Sequence, residues 1–325
     1  MKILFIGGTG VISLACSQAC LARGDQLTLL NRGLSPNLPQ DCRHLQADIN
    51  QTEHVAALLK EETFDCVVDW IAYTPADLQR DHALFREKTS QYLFISSASV
   101  YAKPPQLPIV ETHPIGNPYW DYAHNKILCE QWLHQAYQET GFPITIVRPS
   151  HTYDATKIPL RGGATSLHRL LAGKPVIVHG DGTSLWTLTH HRDFAQGFLG
   201  LLGNADTVGQ TYHITSDEVL TWNQIYQTMA QAAGVEANLF HLSSETILRY
   251  DREWGEGLLG DKAYSMVFDN SKIKEITPFF RAQVPFAQGA QEILAWYQAD
   301  TRHQEMDSNL DATMDHMIHN HMRSI

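Results

Sequence analysis

Between residues 117 and 130 the chain reads NPYWDYAHNKILCE, with Tyr122 and Lys126 four positions apart. On a helix that spacing sends both side chains from one face, a turn apart. An ammonium beside a phenol favours the phenolate and draws a tyrosine down from its usual pKa of about 10, as a general base requires. Tyr119 has Ala123 at the corresponding position and therefore no activating cation, so its expected role is packing or pocket lining, with Trp120 and Cys129 on the helix's buried side. The pair follows a hydroxyl-rich segment, ISSASVY, by about twenty residues. A serine there can hydrogen-bond the substrate oxygen that the tyrosine deprotonates.

The elements that must position these groups begin with KILFI at 2 to 6, an apolar run ended by glycines, and GVISLACSQACLARG, which carries apolar residues at helical spacing until Gly24 closes it. Gly7 and Gly10 in the turn have the first two spacings of a dinucleotide fingerprint, and Ser13 stands where a third glycine is expected. In a strand–turn–helix context, backbone N–H groups of the turn and of the helix start, Val11 and Ile12, meet a pyrophosphate. The second strand ends LLNRG. Asn31 therefore replaces the carboxylate that would accept a ribose 2′-hydroxyl, and Arg32 can pair with a 2′-phosphate, which tilts the cofactor toward NADP over NAD. Asp48 and Ile49, after the third strand, are placed to meet the adenine edge.

Further strands are expected at 26 to 30, 42 to 47, 66 to 71, 92 to 96 and 144 to 148, with helices at 51 to 61, 76 to 88 and 119 to 140. Apolar strands alternating with helices imply a doubly wound parallel sheet, an α/β Rossmann domain over residues 1–150. Beyond Pro149 the alternation loosens. Short strands near 176 to 179 and 211 to 214, with helices near 191 to 202 and 221 to 233, read as a smaller α/β substrate domain over 151–305, packed beside the carboxyl ends of the sheet where such folds bind ligands. Residues 306–325 form a C-terminal tail.

A net charge of −11 offers no footprint for a phosphate backbone or an anionic membrane, so nucleic acid is disfavoured as a partner. No stretch reaches membrane-spanning length, and MKILFI is cut short by GGTG before it could serve as a signal peptide's apolar region. Five cysteines without a C-x-x-C pair read as reduced, mostly buried thiols of a cytoplasmic protein. His316, His319 and His321 lie close together in the tail, but they do not share one helical stripe, which favours a packing or frayed terminus over a metal site.

Taken together, GGTGVIS, ADI, SSASVY, Glu111 of IVET, YAHNK, VRPSHTYD and HHRDFA make the chain resemble the short-chain dehydrogenase/reductase superfamily, specifically its extended branch of sugar-nucleotide epimerases and dehydratases, over roughly residues 1 to 300. That resemblance implies Tyr122 as base, Lys126 as the group that lowers its pKa and holds the nicotinamide ribose, and Ser97 as the substrate-orienting hydroxyl, with Ser96 and Ser99 as alternatives. It also implies a homodimer formed through the helices at 76 to 88 and 119 to 140. Members that dehydrate sugars carry an acidic residue beside the catalytic hydroxyl, where this chain has Ala98 and Ser99, so simple hydride transfer or epimerisation is expected. Members that bind a UDP-sugar commonly reach the diphosphate with an arginine where this chain has Trp186. Tryptophan can stack on a ring but cannot pair with a diphosphate. A nucleotide sugar is thereby disfavoured, leaving Arg161 and Arg192 as candidate anion contacts. The expected activity is NAD(P)-dependent oxidoreduction or epimerisation at a secondary alcohol or carbonyl of a sugar-like small molecule. The chain also resembles the chloroplast stem-loop RNA-binding proteins, which supply the competing class: a cofactor-binding regulatory or RNA-associated protein.

Overall fold

The computed structural model describes residues 1–323. Its chain order is β1 (Lys2–Ile6), α1 (Val11–Ala22), β2 (Gln26–Asn31), β3 (Arg43–Gln46), α2 (Thr52–Leu58), β4 (Cys66–Asp69), α3 (Pro75–Phe85), β5 (Tyr92–Ile95), α4 (Asp121–Thr140) and β6 (Ile144–Pro149). There follow β7 (His151–Tyr153), α5 (Ala164–Leu171), β8 (Val176–His179), β9 (Leu185–Trp186), β10 (Leu188–His190), α6 (His191–Leu199) and β11 (Thr211–Ile214). The chain closes with β12 (Leu220–Thr221), α7 (Trp222–Ala232), β13 (Leu239–Leu242), α8 (Ser244–Tyr250), α9 (Arg252–Gly257), α10 (Ser271–Ile276), α11 (Phe286–Ala299) and α12 (Ser308–Arg323).

Seven parallel strands form one sheet in the order β3-β2-β1-β4-β5-β6-β11. Because side chains alternate along a strand, β1 sends Ile3 and Phe5 into the core beneath α1 and α6, and Leu4 and Ile6 into the core beneath α2, α3 and α4. A sheet buried on both faces needs apolar residues at successive positions, which is why KILFI reads as a continuous run.

One expectation is corrected here. The strand at 211–214 does not belong to a smaller domain: Thr211 to Ile214 pair with Ile146 to Pro149 as the seventh strand of the main sheet, and Phe194 and Phe198 of α6 join the core of α1. The chain leaves the sheet after β6, builds β7 to β10, and returns. Short β pairs are legible only as apolar runs, and neither length nor pattern says which sheet they join.

Outside the sheet a second core gathers around Tyr153, Trp186, Trp222, Tyr226 and Phe286. The tail is a helix, α12, that packs Leu310, Met314, Met317 and Ile318 against Ile177, Trp254 and Leu258. Arg169, fully buried, donates to the carboxylates of Asp311 and Asp315. His316 meets the Tyr250 ring edge-on at 5.6 Å, His321 meets Phe240 at 5.8 Å, and His319 is exposed. The three do not converge, and among the described residues no group of three metal-ligating side chains does. Nor is any described helix long and apolar enough to cross a membrane.

Candidate active site

The first strand ends in a turn where Gly7 and Gly8 have φ of +101° and +94°, values that side-chain-bearing residues rarely adopt. At Gly8 a Cβ would also lie 2.6 Å from Leu29. Gly10 caps α1, and Leu14 N–H is the first in that helix to close a bond, to Gly10 O at 2.8 Å. The amides of Val11 and Ile12 are thus left for an anion, and no acidic side chain occupies the first turn. Ser13 is more than a stand-in for glycine, since its hydroxyl accepts the Gly10 N–H at 2.8 Å.

Asn31 is spent internally. It donates to Gly7 O at 3.0 Å and accepts from Gly33 N–H and His44 Nε2, both at 2.9 Å, so it fixes the turn. Arg32 is exposed beside it, and no ion pair occupies it among the described residues. Asp48 accepts the Asn50 N–H at 2.9 Å and Ile49 is buried. A dinucleotide fits these residues: free amides for the pyrophosphate, a cation at the end of β2 and an apolar edge after β3.

At the other end of the sheet β5 releases the chain at Ser96. Ser97 Oγ accepts the Ser99 N–H at 3.2 Å, capping the short turn 98–100, and lies 2.9 Å from Ser99 Oγ. The Ser97 hydroxyl also acts on the Tyr122 phenol, in the first turn of α4, to favour its ionised form. Burial raises the Tyr122 pKa, and the Ser97 hydroxyl opposes that rise. Tyr73 and Trp120 flank the phenol at ring-centroid distances of 5.7 and 4.8 Å.

Lys126 lies a turn below Tyr122, but its ammonium is directed away from the phenol, donating to Ala72 O and Ile95 O at 2.8 Å each. Burial holds the Lys126 pKa below its usual value. The expected depression of the tyrosine pKa by this cation is therefore not seen: two carbonyls, in the loop after β4 and at the end of β5, outcompete a phenol as partners for a buried ammonium. One of its three N–H donors remains for a ribose hydroxyl.

Several residues that spacing did not single out hold this end together. Glu130, the next turn of α4 and fully buried, accepts from Ser96 Oγ at 2.5 Å and from both Nε and Nη2 of Arg148, at 2.9 and 2.6 Å. Ser96 is thereby structural. Asn117 donates to Ser99 O at 2.9 Å and Gly260 O at 2.6 Å, tying the serine segment to a π-helical turn at 258–262. The Y-x-x-x-K-x-x-x-E spacing was available in the sequence for Glu130. Nothing local could announce Asn117, whose partners lie 18 and 143 residues away.

Ser97, Ser99, Tyr122 and Trp186 line a cavity of about 410 Å³. Asp261 reaches it from the π turn, so a carboxylate does enter the site, although not from the segment where one was sought. It lies 3.6 Å from both Lys103 and Lys262. Trp186 is 3% exposed, donates its indole N–H to His151 Nδ1 at 3.1 Å and packs on Trp222 at 5.3 Å. A second cavity of about 450 Å³ adjoins, lined by Arg161, Trp222, Trp254 and Tyr226 among others. Arg161 is paired with Asp251 at 2.7 Å, and Arg192 lies outside both cavities, paired with Glu292 at 2.6 Å. Tyr119, 44% exposed, lines neither cavity, because α4 begins at Asp121 and leaves it on the approach loop.

Comparison with known proteins places this geometry. The model of the NAD dependent epimerase/dehydratase family matches residues 3–215. A chloroplast stem-loop binding protein of 41 kDa from Arabidopsis thaliana is 32% identical over 250 residues, 72% of this chain and 63% of the relative, so the matched part spans less than two thirds of that protein. A 2'-dehydrokanamycin reductase of Streptomyces kanamyceticus is 22% identical over 86% of this chain and 80% of its own length. Among solved structures, UDP-glucose 4-epimerase from Bifidobacterium longum, in complex with NAD+ and UDP, superposes with a TM-score of 0.72 at 19% identity, covering 93% of this chain and all of that one. An epimerase of Methanothermobacter thermautotrophicus gives 0.75 at 16% identity, covering 93% of each chain.

Proposed function

The chain belongs to the NAD dependent epimerase/dehydratase family, and within it we propose an enzyme that oxidises or reduces a secondary alcohol or carbonyl of a sugar or sugar derivative, in net turnover or transiently during epimerisation. One observation carries the reading: Ser97 and Tyr122 line one cavity together, and the Ser97 hydroxyl acts on the Tyr122 phenol to favour its ionised form.

A bound nicotinamide supplies the hydride acceptor or donor. Ser97 holds the substrate oxygen against Tyr122. In the reductive direction the Tyr122 Oη–H gives its proton to the carbonyl oxygen as that oxygen gains charge; in the oxidative direction the phenolate takes the hydroxyl proton. A phenol whose pKa is raised by burial keeps its proton at neutral pH, which suits the reductive direction. Lys126 holds the loop at Ala72 and offers its remaining N–H to the ribose. Exposed Arg32 favours NADP over NAD, and α3 and α4 supply the dimer surface. Without an acid or base beside Ser97 free of other charges, elimination is not part of the proposed chemistry.

The test is a panel of neutral and anionic sugars, offered to the full chain with each oxidised and reduced cofactor and followed at 340 nm. Cofactor turnover or conversion of a sugar to its epimer is expected; no absorbance change and no epimer formed with any member, alongside undisturbed cofactor binding, would overturn the reading. The 32% identical stem-loop binding protein favours a second reading, an RNA-associated protein. A net charge of −11 opposes it. That reading requires RNA binding that weakens steeply as salt is raised.

A further inference from the structure

The two cavities share four lining residues: Trp120, His151, Lys157 and Lys262. All four carry N–H donors and two of them, the lysines, are cations, and they meet where the catalytic cavity opens into the distal one. We propose that this neck is a site for a single anionic group, a phosphate monoester or a carboxylate, carried by the sugar-like substrate. The proposal rests on the redox reading above and names its substrate class.

The tautomer of His151 follows from its partner. An indole N–H can only donate, so His151 Nδ1 must accept from Trp186 and a neutral ring carries its proton on Nε2, as a donor. Burial, with Lys262 and Lys157 nearby, pushes the His151 pKa down to about 3, so the ring is neutral in use.

Lys262 is fixed from behind. Its carbonyl accepts from His179 Nε2 at 2.8 Å and from Ser184 Oγ at 3.2 Å. The π turn that carries it approaches Trp120 so closely that a Cβ on Gly260 would lie 2.7 Å from the Trp120 Cβ. The ammonium sits over the Trp120 and Trp186 rings at 5.3 and 5.8 Å. Two ammonium groups, on Lys157 and Lys262, line the neck; Asp261 stands 3.6 Å from Lys262 and also 3.6 Å from Lys103, which lines neither cavity, and Lys157 has no ion pair among the described residues. The surplus positive charge calls for an anion.

A diphosphate is poorly served. The indole N–H of Trp186 is taken, no free guanidinium lies at the neck, and Arg161 further along is neutralised by Asp251. Glu253 also lines the distal cavity and would repel a second phosphate. Because the Trp120 ring contacts both the Lys262 ammonium and the Tyr122 phenol, the anion and the reacting carbon lie one indole apart, within a single sugar unit.

Isothermal titration of the full chain, saturated with oxidised cofactor, would use D-glucose, D-glucose 1-phosphate, D-glucuronate and UDP-glucose as probes. At least one of the two single-anion probes should bind about tenfold or more tighter than glucose, and the tighter of the two identifies phosphate or carboxylate as the group. UDP-glucose should gain nothing over glucose 1-phosphate. Lys262→Met should remove the preference and Lys262→Arg keep it, while Tyr122→Phe should leave it intact. The proposal is overturned if neither single-anion probe outbinds glucose, if UDP-glucose binds tenfold tighter than both, or if Lys262→Met retains the preference. Anion preference without cofactor turnover or epimer formation would sink the redox reading alone; turnover of neutral sugars without anion preference would sink the anion site alone.

Discussion

The two ends of the binding cleft are built differently. At the sheet, Lys126 is held by the buried carbonyls of Ala72 and Ile95, and Ser96, next to Ser97, by the buried Glu130 that pairs with Arg148. At the distal end the walls are aromatic, and the ion pair of Arg161 with Asp251 is partly exposed, at 29% and 19% of its side chains. Buried polar networks tolerate one geometry, whereas aromatic walls tolerate several ligands. Proton transfer needs the first property, and a substrate class can drift with the second.

This contrast predicts unequal costs. Glu130→Ala leaves the Arg148 guanidinium buried without its carboxylate and should lower unfolding free energy by about 3–5 kcal/mol in urea titrations. Asn117→Ala, which strips donors from two buried carbonyls and separates the serine segment from the π turn, should cost about 2–3 kcal/mol and lower kcat as well, in the same urea series and the 340 nm assay. A cost in stability with kcat unmoved would show that the two ends are not coupled through Asn117.

Acid should act next. His151 and His179 are held below their ordinary pKa by burial, at about 3 and about 4. A group whose folded pKa is depressed in this way binds its proton more readily when unfolded, so the unfolded state gains protons first as pH falls below about 6.5. Stability is complete above that pH and declines toward pH 4, by about 2 kcal/mol for His151 alone at pH 5. A melting temperature that falls between pH 7 and 5, with a smaller fall in His151→Asn, is the expected result. The smallest effect belongs to the distal pair: Arg161→Met should change stability by less than about 1 kcal/mol. A cost equal to that of Glu130→Ala would erase the distinction between the two ends.

How much of this was legible in the sequence follows the same division. The strand–glycine–helix turn, the Tyr122–Lys126 pair and Ser97 depend on spacings of a few residues, and the apolar strands β1, β2, β4, β5 and β6 announce themselves by burial on both faces, unlike the polar edge strand β3. Trp186 was legible as a cavity residue, because the arginine expected there is missing. The placement of β11 in the main sheet, the reach of Asp261 and Lys262 into the site, and the diversion of Lys126 to two carbonyls all depend on contacts between segments far apart in the chain. No local pattern encodes such contacts.

The central claim is that Tyr122 moves the proton that accompanies hydride transfer. The direct measurement is single-turnover absorbance at 340 nm for the full chain and for Tyr122→Phe, each saturated with cofactor and offered the sugar identified by the panel. The account predicts a rate lower by about 10²–10⁴-fold in Tyr122→Phe with unchanged cofactor affinity. Equal rates in the two proteins would contradict it.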